Sequence, residues 1–93
     1  MNSYASIDRL EGQFAVCEVE LINLESARST SFVQKPTKMM NFPTVKFPVR
    51  PAEGDIFIVN HDGNNINSVL YRDDYEKQRR VAIIGALISR FKK

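Results

Sequence analysis

The sequence predicts a small α+β fold: an antiparallel β-sheet, or a partly open barrel of the SH3 or OB kind, capped by one C-terminal helix. Three observations predict it. The first two thirds of the chain read as strands and turns, with apolar residues alternating at a period of two through Phe14 to Ile22 and again from Thr44. Glycine- and proline-bearing turns separate those stretches, and a stripe of helical period closes the sequence. At 93 residues the chain forms a single domain, 1–93, with strands and turns over about 4–71 and a helix over about 74–91.

The first strand is expected at Tyr4 to Leu10, ending in the turn Glu11-Gly12-Gln13, where glycine supplies a permissive φ. Phe14 to Ile22 carries the clearest alternation: Ala15, Cys17, Val19 and Leu21 on one face, Glu18 and Glu20 on the other. Phe14 and Val16 fall on the polar face by parity, so that end needs cover from elsewhere. Thr30 to Val33 can form a short ladder before Lys35-Pro36 breaks it. From Thr44 the alternation returns, with Val45, Phe47 and Val49 on one side. Pro43, Pro48 and Pro51 cannot donate ladder bonds, so this segment reads as an edge strand.

Ile56-Phe57-Ile58-Val59 is an unbroken apolar run, expected as a central strand buried on both faces. His61 to Asn65 has hairpin-loop composition, and Ile66 to Tyr71 returns as the last strand. Asp73 with Glu76 three residues on reads as a helix start of capping-box type. Val81, Ile84, Leu87, Ile88 and Phe91 then form the apolar stripe, and Arg90, Lys92 and Lys93 suit the carbonyl pole.

Charge is laid out in blocks. Met1 to Glu25 has five acids against one base, and Ser26 to Ala52 has no acid but carries Arg28, Lys35, Lys38, Lys46 and Arg50. The net charge is only +2. A single cysteine, Cys17, cannot close an internal disulfide, which fits a reducing compartment. The opening residues lack the basic and apolar regions of a signal peptide, and no apolar run approaches the ~20 residues of a membrane span. These features predict a soluble, cytoplasmic protein without a membrane partner.

Enzyme readings find little to stand on. His61 is the only histidine, so neither a metal site nor a triad has a second one to use. Cys17 alternates with core residues and reads as a small buried hydrophobe. Asp62-Gly63-Asn64-Asn65 lacks the spacing of a calcium loop, and the glycines are scattered singly. No cofactor or metal is expected, and no catalytic residue is assigned. Asp8, Arg9 and Glu11 form a charge cluster that Arg79 and Arg80 could reach from the helix, a structural ion-pair network. The candidate binding surface is the basic middle: Lys35, Lys38, Met39, Met40, Phe42, Lys46 and Arg50. Methionine and phenylalanine on a loop make adaptable protein contacts, so a protein partner is the leading expectation. Two alternatives use other chemistry: nucleic acid, with lysines on phosphates and Phe42 or Phe47 stacking on bases, and a small ligand in the barrel mouth.

Three segments resemble one family. They are Ile7-Asp8-Arg9-Leu10-Glu11-Gly12-Gln13-Phe14-Ala15-Val16, then Glu53-Gly54-Asp55-Ile56, then Asp73-Asp74 leading to Arg79-Arg80. They are similar to small, mostly Gram-positive bacterial proteins catalogued as domain of unknown function three thousand and six. The resemblance covers about half the chain and implies a compact β-rich domain with a terminal helix and no established catalytic residues. Leu10 stands where that family usually has phenylalanine. The stretch Leu24 to Val49 is longer and more basic than the family's, which makes the basic middle particular to this chain.

Overall fold

The computed structural model describes residues 1–29 and 35–91, with α2 followed as backbone alone from residue 83 onward. Five strands form one antiparallel sheet in the order β3-β2-β1-β4-β5: β1 Asn2–Glu11, β2 Phe14–Glu20, β3 Thr37–Pro43, β4 Ile56–His61 and β5 Ile66–Arg72. Two helices complete it, α1 Leu24–Ser29 and α2 Asp74–Phe91. The sheet is bent but not closed. Lys38 of β3 reaches Asn64 of the β4–β5 turn (Nζ to Oδ1, 2.7 Å), yet no backbone pairing joins the two edges. The expected sheet is therefore present and the barrel alternative is not.

The alternation of β1 and β2 does what its period requires. Ala5, Ile7, Ala15, Cys17 and Val19 point into the inner face, where they meet Met40, Phe42, Phe57, Val59 and Ile66. Phe47 seals this core edge-on against Phe42 (5.7 Å between centroids) and Phe57 (5.0 Å). On the outer face a smaller cluster of Tyr4, Ala27, Ile56 and Ile58 is covered by α1. β4 is buried on both faces, as its unbroken apolar run predicts.

The β1–β2 hairpin turns at Gly12, whose φ of +58° suits the first central position of a two-residue turn. β1 is longer than its neighbour on the other side. It pairs with β4 only from Asn2 to Ser6, while its end from Arg9 to Glu11 pairs with β2 alone. The hairpin end thus runs past the rest of the sheet. That geometry leaves Leu10 and Phe14 largely exposed, while Val16 is buried.

Three expectations about the elements change. The basic edge strand is Thr37–Pro43, not the segment from Thr44, which forms a 3₁₀ turn over Thr44–Lys46. Pro48 and Pro51 explain the shift, because neither can donate a ladder bond beyond the end of β3 at Pro43. α1 was not expected. Asn23 caps it, accepting the Ser26 N–H at 2.9 Å, a signal present in the sequence but short. Val81, assigned to the buried stripe of α2, is 62% exposed. The helix docks through its first turns instead: the Asp73 N–H donates to Ile56 O, Asp73 Oδ1 caps Glu76, and Glu76 is buried. The side chains of Ile84, Leu87, Ile88 and Phe91, and the ladder expected at Thr30–Val33, lie outside the described residues.

Candidate functional site

The basic middle does not form one surface. Met39 and Met40 sit on a strand rather than a loop, so parity separates them: Met40 is 4% exposed in the core and Met39 is 47% exposed. Phe42 follows Met40 inward, and Phe47 is buried beside it. Both aromatics that base stacking would use are therefore packed away. Lys35 is half-buried, 3.8 Å from Glu20, and Lys38 is spent on Asn64. Lys46 and Arg50 remain exposed, and neither makes a hydrogen bond or ion pair with the described residues.

These two cations flank the projecting hairpin end. A cleft of about 390 Å³ opens there, lined by Leu10, Gly12, Thr44, Val45, Arg50 and Pro51. The chain after β3 forms its second wall. Thr44 is fastened to the hairpin turn by its N–H and its hydroxyl, both donating to Gln13 O (2.9 and 3.2 Å), and Phe47 anchors the segment into the core. Val45 is left 87% exposed, with Phe14 (48%) and Val49 also uncovered. Within the cleft, Leu10 and Val45 thus expose apolar surface beside a guanidinium without a carboxylate partner among the described residues.

The charged residues between β2 and the start of α2 behave differently. Glu76 accepts from Arg79 (Nη2, 2.7 Å) and Arg80 (Nε, 2.7 Å), and Arg80 also reaches Glu20 (2.8 Å). The Arg80 guanidinium lies 5.0 Å from the Tyr4 ring centroid. Burial pushes the Glu76 carboxyl up, but the two guanidiniums outweigh it and hold it below its ordinary value. Asp55 couples the turn before β4 to the same helix: Oδ2 accepts the Ala52 N–H and Oδ1 pairs with Lys77, each at 2.9 Å. A cleft of about 360 Å³ nearby is lined by Tyr4, Asp73, Tyr75, Glu76 and Arg79, whose charged groups already serve the fold.

Arg79 and Arg80 do not join Asp8, Arg9 and Glu11. Arg9 pairs with Asp8 and Glu11 (2.6 Å each) on the exposed end of β1, and their hydrogen bonds raise its pKa. The expected single network is two separate ones, because β1 carries its charged end away from the helix. The partners that the sequence did not reveal are Glu20 and Glu76. Glu20 is buried at a polar-face position, and its second oxygen has no partner among the described residues.

A serine and a histidine do meet. Ser3 Oγ lies 2.9 Å from His61 Nε2, and both residues are fully buried. The hydrogen bonds fix the roles. Gly63 N–H donates to His61 Nδ1 (3.0 Å), which places the ring proton on Nε2. The imidazole then donates to Ser3, whose hydroxyl donates to Ile22 O at 2.6 Å. An imidazole that donates to the serine cannot take its proton, so this pair ties β1 to β4 and to the start of the α1 loop. Burial and the nearby N-terminal charge lower the His61 pKa. Cys17 is fully buried, and burial pushes its thiol up to about 11. Asp62 accepts the backbone N–H groups of Asn64 and Asn65, which closes its own turn.

No helix among the described residues is long and apolar enough to cross a membrane. No family model, curated protein or solved structure matches this chain.

Proposed function

We propose that this chain is a non-catalytic recognition domain that binds a protein partner through the hairpin end of its sheet. One observation carries the reading: Leu10 and Val45 expose apolar surface in a cleft whose only charged lining residue, Arg50, has no carboxylate partner among the described residues. Apolar patches rimmed by polar groups mark interaction sites on proteins of this size. The packing of Phe42 and Phe47 into the core removes the two rings that the nucleic-acid reading assigned to base stacking.

We also read the chain as a relative of the small bacterial family that its three segments resemble. In the fold those segments are the β1–β2 hairpin, the turn before β4 and the start of α2. Their hydrogen bonds hold the framework, and the recognition surface borrows from the basic middle.

Site-specific photo-crosslinking tests the proposal. Benzoylphenylalanine at Val45 is expected to capture a discrete protein in cells, and the same probe at Tyr75, exposed on the first turn of α2 and outside the cleft, is not. Equal capture from both positions, or none from Val45, would refute it.

A further inference from the structure

The structure describes the side chains of Arg9, Arg50, Arg72, Arg79 and Arg80, and four of these have carboxylate partners. Arg9 holds Asp8 and Glu11, Arg72 holds Asp74, Arg79 holds Glu76, and Arg80 holds Glu76 and Glu20. Arg50 has none among the described residues, and it is the only charged residue lining the hairpin-end cleft. The nearby acids do not quench it. Asp8 and Glu11 are tied to Arg9, and Glu53 lies outside the lining.

We infer that the partner presents a peptide segment with a carboxylate beside bulky apolar side chains, and that Arg50 receives the carboxylate. This rests on the reading of the hairpin end as a protein-binding surface. The apolar side chains lie on Leu10, Val45 and Pro51. The carboxylate meets the planar guanidinium fork, which matches it with two parallel N–H donors. Gly12 assists by leaving the floor open: a Cβ there would meet no atom within 4 Å, so an extended backbone can approach the turn. A phosphate-rich ligand fits less well, because one guanidinium in an apolar cleft cannot track a chain of phosphates.

The test uses short fluorescent peptides with the same Leu-Phe pair, flanked by Glu, by Gln or by Lys, and a labelled oligonucleotide. Anisotropy is read against the wild type and the variants Arg50→Gln, Arg50→Glu and Val45→Asp. The acidic peptide is expected to bind the wild type at least about fivefold tighter than the Gln peptide, with that advantage falling at higher salt. Arg50→Gln should erase the advantage, and Arg50→Glu should turn it toward the Lys peptide. Binding that ignores the flank but is lost in Val45→Asp overturns this inference and leaves the protein-recognition reading standing. Binding of the oligonucleotide in preference to every peptide, or no peptide binding at all, overturns both.

Discussion

Two places on this molecule carry pairs of basic residues that behave in opposite ways. At the helix end Arg79 and Arg80 are held by Glu76 and Glu20, two carboxylates almost out of solvent. At the hairpin end Lys46 and Arg50 stand in water beside exposed Leu10 and Val45, with no acid attached among the described residues. The difference lies in what the fold delivers to each place. Glu20 comes from β2 and Glu76 from the first turn of α2, whereas the acid-free stretch around Arg50 meets only a hairpin whose own acids Arg9 already holds. A basic run becomes available for recognition only where folding brings it no carboxylate.

The largest effect that separates the two places should follow loss of Glu76. Glu76→Ala leaves two guanidiniums without their shared acceptor and is expected to cost about 3 kcal/mol in urea unfolding, the low end for a buried pair because the arginines are partly exposed. Next comes the core side of the basic middle. Met40→Ala should lose roughly 2–3 kcal/mol, whereas Met39→Ala, one residue earlier on the exposed side, should change stability by less than about 0.5 kcal/mol.

Acid should act on the buried groups and leave the hairpin end alone. Glu76 has a depressed pKa, so its contribution is complete above its ordinary value of 4.5 and is lost as pH falls through the depressed one. His61 is a base with a lowered pKa. The unfolded chain therefore takes up its proton first, and stability starts to fall once pH drops below the ordinary 6.5. Denaturation followed from pH 7 downward should show both losses, and Glu76→Gln should reduce the lower one, leaving the share of Asp62, whose carboxylate its backbone hydrogen bonds also hold low. The smallest effects belong to the exposed end: Arg9→Ala and Arg50→Ala should leave the urea midpoint unchanged.

The sequence was legible in β2, in β4 and at the start of α2. Ala15, Cys17, Val19 and Leu21 predicted their inner face, the run from Ile56 predicted the doubly buried β4, and Asp73 predicted the start of α2. The middle was harder to read. Val45, Phe47 and Val49 alternate like a strand, but the prolines between them leave a 3₁₀ turn, and the true edge strand shows its period only in Met40 and Phe42. Charge pairing was the least legible, because it depends on contacts such as Arg80 with Glu20, sixty positions apart. For the same reason the candidate surface had to be divided. Composition marked Lys35, Lys38, Met40 and Phe42 together with Lys46 and Arg50, and only the fold shows that the first four are occupied or buried.

Backbone amide shifts of the labelled protein, followed as the acidic apolar peptide is added, put the contrast between the two places to the most direct test. Shifts centred on Gly12, Val45 and Arg50, with those of Glu76, Arg79 and Arg80 unmoved, are the expected result. Shifts centred on the start of α2, with the hairpin end unmoved, would contradict the account.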